Sequence, residues 1–317
     1  MDRRECLRHQ FKGESAALLS LLLLPNIQDV LLNGLGSAFV DCGDGLQSVA
    51  PPFHSENSLH AAMERMVIPI GRRLEVGRPF VDGQLADGSR FHLFLPPLAR
   101  PGPLISIRVF TGDRNLPLTD FGSREEIAWL CDQVHRRRSL LIAGATGSGK
   151  TSLMGSLLEL IPHTDRILIL EETREIRTEH PHAVSLETRQ ASADGGSEVS
   201  LASLVRNALR MRPDRIVVGE CRGPEALDLL QALNTGHPGG LCTLHADSAR
   251  AALRRLESLV WQANGRLRLN VVRDWIGHGI GGVVFLRREG KKRRVAELLE
   301  VHGVEGAVYR LRPVGCN

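Results

Sequence analysis

The stretch Gly144-Ala-Thr-Gly-Ser-Gly-Lys-Thr151 decides how this chain is read. It fits the pattern G-x-x-x-x-G-K-[ST], and its flanks are those the pattern needs. The apolar run Leu140-Leu-Ile-Ala143 leads in as a strand, and residues 152–160 lead out as a helix. A strand–loop–helix of this composition curls backbone N–H groups around phosphates, and the helix N-terminus adds positive potential. Gly144, Ala145, Thr146, Gly147, Ser148, Gly149, Lys150 and Thr151 are therefore expected to bind a nucleoside triphosphate. Lys150 can reach the β- and γ-phosphates, and the Thr151 hydroxyl suits Mg2+. ATP is the expected nucleotide, because the chain has no guanine-reading N-K-x-D motif.

Two further apolar runs end in acids. Arg215-Ile-Val-Val-Gly-Glu220 has the form of a Walker B strand, and Ile167-Leu-Ile-Leu-Glu-Glu172 places Glu171 and Glu172 at a second strand end. Ligands of open α/β sheets bind at the carboxyl edge, so these acids are expected beside the phosphates. One would orient water as a base and the other would hold the water shell of Mg2+, the metal being shared by Thr151 and Glu220. The residues leave open which of Glu171 and Glu220 is the base. His237, in Asn234-Thr-Gly-His237, and His245, in Thr243-Leu-His245, are candidate γ-phosphate sensors. No third ligand stands at zinc spacing.

The 317 residues suffice for two domains. With 42% hydrophobic and 24% charged residues the chain can bury real cores, and a net charge of +4 is too small to argue for nucleic acid. Residues 1–110 read as a smaller α+β domain. Ile27-Gln-Asp-Val-Leu-Leu32 and Ala38-Phe-Val-Asp41 form strands around the turn Asn33-Gly34, and residues 58–68 form a helix capped by Ser55 or Asn57 and stopped by Pro69. Residues 80–82, 89–95 and 104–110 read as further strands. The apolar run 16–24, halted by Pro25, is too short to span a membrane and reads as a buried helix. A Gly/Pro/Asp-rich linker, 111–122, is the expected hinge. Residues 123–317 then alternate helix and strand as a RecA-like P-loop ATPase domain with a mainly parallel sheet, so the chain is α/β overall. Glu289-Gly290 signals a hairpin near the end, and its basic flank Lys291-Lys-Arg-Arg294 reads as a solvated tip. The charged N-terminus reads as no secretory signal. The six cysteines form no C-x-x-C pair and are expected to be free thiols of a cytoplasmic protein.

The ordered motifs resemble those of the secretion and pilus-assembly ATPases of type II and type IV secretion systems. Walker A, Asp box, Walker B and His box fall at 144–151, 169–173, 216–222 and 235–245. Residues 204–223 and 229–240 are similar to that family almost throughout. Residues 27–34 and 104–110 most resemble its tight-adherence (Tad) pilus branch. The second acid of the Asp box, usually aspartate, is Glu172 here. The resemblance implies that Glu171 is the catalytic glutamate, that Glu172 and Arg222 stand with the nucleotide-binding residues, and that the N-terminal domain supplies arginines to the nucleotide, Arg108 first and Arg90 second. The four-cysteine zinc element of the longer family members is absent. The resemblance further implies an ATP-hydrolysing ring, a hexamer, at the cytoplasmic face of the inner membrane. Such a ring drives pilus assembly or protein secretion through an inner-membrane platform protein, with no direct nucleic-acid binding. A conjugative DNA-transfer ATPase and a non-hydrolysing, nucleotide-gated regulatory subunit are the alternatives.

Overall fold

The computed structural model of the chain describes residues 2–75, 77, 79–100, 102–110, 116–189, 197–290 and 292–315. Residues 111–115 of the expected linker, Lys291 of the basic run, and Cys316 lie outside them. The described residues divide into two compact units, one formed by residues 2–110 with Ser197 and the other by residues 116–189 with 198–315.

The first unit carries helices α1 (Arg3–Gln10) and α2 (Leu19–Leu22), strands β1 (Asp29–Asn33), β2 (Ser37–Asp41) and β3 (Leu46–Val49), helix α3 (Glu56–Val67), and strands β4 (Phe80–Gln84), β5 (Arg90–Phe94) and β6 (Leu104–Arg108). The strands form one antiparallel sheet in the order β3-β2-β1-β6-β5-β4. Strict alternation of burial along β1, β2 and β5 puts Val30, Leu32, Ala38, Val40, Phe91 and Leu93 into the core against Leu59, Met63 and Met66 of α3. The Ser55 hydroxyl accepts the Ser58 N–H at the start of α3. Run 16–24 is not one helix. A 3-10 helix, Gly13–Leu18, passes into the single turn of α2, which stops short of Pro25, where helical geometry is disfavoured at the preceding residue.

The second unit holds α4 (Arg124–His135), β7 (Leu140–Gly144), α5 (Lys150–Leu158), β8 (Ile167–Glu171), β9 (Ala183–Glu187), α6 (Leu201–Ala208), β10 (Arg215–Val218), α7 (Glu225–Asn234), β11 (Leu241–Leu244), α8 (Ala249–Ala263), α9 (Leu269–Gly279), β12 (Gly282–Glu289), β13 (Lys292–Glu305) and β14 (Val308–Pro313). A capping box between Ser123 and Glu126 starts α4. The sheet order is β14-β13-β12-β7-β11-β10-β8-β9, parallel from β12 to β9 and antiparallel from β12 to β14. Strands β7, β8, β10 and β11 are buried along their whole length, as strands covered on both faces must be. Leu141, Ala143, Leu168, Leu170, Ile216 and Val218 pack on the α6–α9 side. Leu140, Ile142, Ile167, Ile169 and Val217 pack on the α4–α5 side. Among the described residues the cysteines are free thiols.

Candidate active site

The parallel register brings four strand ends together. In sheet order β7, β11, β10 and β8 are neighbours, so their carboxyl ends present Gly144, His245, Glu220 and Glu171 along one edge. Side-chain and backbone bonds extend the ladders past the strands. Gly219 N–H donates to the Leu170 carbonyl at 2.9 Å, Cys221 N–H to the Thr243 carbonyl at 2.8 Å, and the Thr243 hydroxyl to the Gly219 carbonyl at 2.6 Å. Glu220 is thereby fixed between Glu171 and His245.

The loop from Gly144 to Gly149 has the cradle form. Gly144, Gly147 and Gly149 take φ values of 153°, 74° and 98°, which side chains rarely adopt. At Gly144 a Cβ would also come within 2.6 Å of the Leu286 carbonyl, so no other residue fits the strand-to-loop corner. Helix α5 opens at Lys150, with its first-turn N–H groups facing the loop. Lys150 is buried, and its ammonium donates to the carbonyls of Gly144 and Ala145, each at 2.9 Å. Burial lowers its pKa, Glu220 opposes that, and Arg222 adds to it. A buried cation whose hydrogen-bond partners are loop carbonyls suits an anion in the cradle.

The two acids sit in opposite environments. Glu171 is 3% exposed; its Oε1 accepts the N–H groups of Glu175 and Ile176, both at 2.9 Å, while its Oε2 is buried without a partner among the described residues. Burial pushes its pKa up to about 7 against the pull of those two backbone bonds. Gly219 makes room for it, since a Cβ there would stand 2.8 Å from the Glu171 Cγ. At Glu220 burial also works against ionisation. There, two hydrogen bonds from Arg222 (Nε at 2.7 Å and Nη2 at 2.9 Å), with the charges of Arg222, His245 and Lys150, win and hold the carboxyl below its ordinary value. Arg222 also donates to Glu172 at 3.0 Å, and His245 Nε2 lies 3.2 Å from Glu220 Oε1. Burial and the Lys150 charge push the His245 pKa down, which keeps the ring neutral near pH 7. Glu172, Arg222, Glu220 and His245 thus form one polar chain beside the loop.

His237 does not join this group. It precedes β11, at the amino-terminal edge of the sheet, where Gly239 N–H donates to Ser139 Oγ and the Leu140 N–H to the Gly240 carbonyl. The length of β11, about 13 Å at four residues, separates it from His245. Its nearness to His245 in sequence is undone by a strand that crosses the sheet. Arg108 and Arg90 lie in the first unit, on one row of its sheet, Asp29 pairing with Arg108 and Arg108 with Arg90. Arg108 donates to Asp29 at 3.1 Å, and its side chain is 68% exposed.

The basic hairpin departs from its reading as a solvated tip. Arg293 lies against the loop: a Cβ on Gly149 would stand 2.7 Å from its Cδ, and its Nη1 is 3.4 Å from Ser152 Oγ. The reason is that β12 runs beside β7, a pairing between segments 142 residues apart (Gly282 with Leu140) that local pattern does not reveal.

The model of the "Type II/IV secretion system protein" family matches residues 12–284. A putative conjugal transfer protein of Mycobacterium tuberculosis is 37% identical over 299 residues, covering 91% of this chain and 84% of that one. The conjugal transfer protein TrbB of Rhizobium radiobacter is 34% identical over 294 residues, covering 90% and 86%. Among solved structures, the pilus retraction motor PilT with bound ADP superposes with a TM-score of 0.65 at 22% identity, over 94% of this chain and 82% of that one, a likeness of fold. On the family match and these identities, the chain belongs to the type II/IV secretion system protein family.

Proposed function

We propose that this chain is a Mg2+-dependent ATPase that works as a ring motor, a hexamer, at the cytoplasmic face of the inner membrane. There it drives export or pilus assembly through a membrane platform protein. The observation that carries the catalytic part is the opposed tuning of two carboxylates on one sheet edge, Glu171 up to about 7 and Glu220 down. Groups whose environments push their pKa values apart divide acid–base labour, and a base works best near the operating pH. Glu171 is then the base, with its unpartnered Oε2 accepting the proton of the attacking water. Glu220 would stay ionised to hold the water shell of Mg2+, and the Thr151 hydroxyl would be the residue that holds the ion itself. Bound Mg2+ would neutralise charge on the β- and γ-phosphate oxygens. Lys150 would offset charge on the same oxygens, and His245, held by Glu220, would sense the γ-phosphate. The test is phosphate release from ATP and Mg2+ by the purified chain, with ring formation followed by mass photometry. A chain that binds ATP without turnover would leave the nucleotide-gated regulatory reading instead.

Glu220→Gln is expected to keep ATP affinity within a few-fold and to lower turnover by about 10²-fold or more. The amide cannot replace a carboxylate at the metal shell. Loss of the fold in this variant would make Glu220 structural.

Arg108→Ala is expected to lower turnover at least about tenfold with a smaller effect on ATP affinity. Its ion pair with Asp29 is exposed and worth about 0–1 kcal/mol, so folding should survive. Arginines that act on transferring phosphates supply up to about 10³–10⁵ in rate. Arg90, its neighbour in register, would carry part of the load. Steady-state ATPase rates on intact rings decide it, and an unchanged rate removes Arg108 from the machinery.

A second reading, a DNA-transfer motor, is favoured by the names of the two relatives given above. Stimulation of turnover by DNA, with binding that weakens steeply as salt rises, would select it. The pilus reading rests on the segments 27–34 and 104–110, which most resemble the tight-adherence branch.

A further inference from the structure

We propose that Arg293 is a nucleotide-binding residue that holds the α-phosphate, the phosphate nearest the ribose, from the β12–β13 hairpin. This rests on the nucleotide reading of the loop. Strand β12 pairs in parallel with β7 until Leu286 stands opposite Gly144, where β7 ends. Residues 287–289 and their partners 292–294 therefore continue past the sheet onto the side where the loop lies. Arg288 and Arg293 are directly opposite each other, so their side chains leave the same face of the hairpin. That face meets the loop. The Arg293 stem lies on Gly149, its guanidinium reaches Ser152 Oγ, and Arg288 Nη1 stands 3.8 Å from where a Gly147 Cβ would be.

Directly opposed like charges are unfavourable unless something offsets them. Among the described residues no carboxylate forms an ion pair with either arginine, and Arg288 spends its Nε on the Gly290 carbonyl. An anion in the cradle is the missing counter-charge. The position along the loop selects which phosphate. Lys150, Glu220 and His245 interact electrostatically with one another and define the reacting end. Ser152 lies on the first turn of α5, where free N–H groups take the phosphate at the other end of the chain. Arg293 therefore touches a phosphate that does not change during hydrolysis. Its contribution is equal binding of ground and transition states, which appears in affinity and KM and not in kcat.

The variants are Arg293→Gln, which keeps most of the stem on Gly149 and removes the charge, and Arg293→Lys, which keeps both in part. Affinities for ADP and ATP are titrated with fluorescent analogues on the full chain, beside the unliganded melting temperature, KM and kcat. Arg293→Gln is expected to weaken ADP and ATP by the same factor, about ten- to a hundredfold, with kcat within about twofold and the melting temperature unchanged. Arg293→Lys should recover part of the loss. Wild-type affinity in Arg293→Gln overturns the inference, as does a loss confined to ATP, which would put the contact on the γ-phosphate. A lower melting temperature with a lower kcat would make Arg293 a strap for the loop. If the wild type itself binds neither nucleotide, the nucleotide reading fails instead, and Lys150→Ala in the same titration serves as the control for it.

Discussion

Replacing Glu171 with glutamine is expected to abolish phosphate release and, above pH 7, to make the folded chain more stable. The first effect follows from chemistry: an amide cannot take a proton from water, and loss of a positioned base costs about 10²–10⁴ in rate. The second follows from linkage. In the fold the Glu171 carboxyl titrates near 7, against an ordinary 4.5. Between those values the folded chain holds a proton that the unfolded chain has lost. The stability that this proton brings is complete below about pH 4.5, falls as pH rises, and is gone above about 7. The displacement corresponds to about 3 kcal/mol, with burial as its main cause. Glutamine never ionises, and its carbonyl oxygen can still accept the Glu175 and Ile176 N–H groups. The variant should therefore match wild type near pH 4 and exceed it by up to about 3 kcal/mol at pH 8 in urea denaturation. Wild-type turnover should correspondingly rise as pH passes through about 7. A flat profile from pH 6 to 8 would assign the base elsewhere, and residual turnover in the variant near wild-type levels would refute the role outright.

The parts of this site that could be read from sequence are those encoded locally. Gly144 to Thr151 states its own geometry, because the glycines and the lysine have no common alternative use at that spacing. Glu171 and Glu220 were legible because each ends an apolar run, and a buried parallel strand has only one place to put an acid. The same logic failed where position depends on distant pairing. His237 and His245 lie eight residues apart in sequence, yet β11 carries them to opposite edges of the sheet. Arg293 became part of the loop wall only because β12 adds beside β7. Strand β3, mostly exposed, lacks any apolar alternation, and β9 is only half-buried, so neither announces itself. Helix α8 was within reach: Ser248 caps it, and Ala252, Leu253, Leu256, Leu259 and Val260 recur at helical spacing and are buried.

Lys150→Ala should reduce turnover by about 10²–10³-fold or more and remove the stabilisation that ATP gives the fold. The side chain is 7% exposed, so its charge acts in a medium that screens it poorly. The Gly144 and Ala145 carbonyls hold the ammonium at the loop, where it would face the β- and γ-phosphates of a bound nucleotide. Alanine removes that charge and leaves the Gly144 and Ala145 carbonyls short of a donor. The fold itself should persist, because the α4–α5 core is built from Leu153, Met154, Leu157 and Leu158 and does not include Lys150. Two measurements separate binding from folding. Without nucleotide, the melting temperatures of variant and wild type should lie close together. With ATP at about a hundred times the wild-type Kd, the wild type should gain about 2.7 kcal/mol of apparent stability and the variant almost none. A variant that still gains this stabilisation and still releases phosphate at the wild-type rate would remove the loop from the mechanism. The opposed carboxylates Glu171 and Glu220 would then have no phosphate to act on.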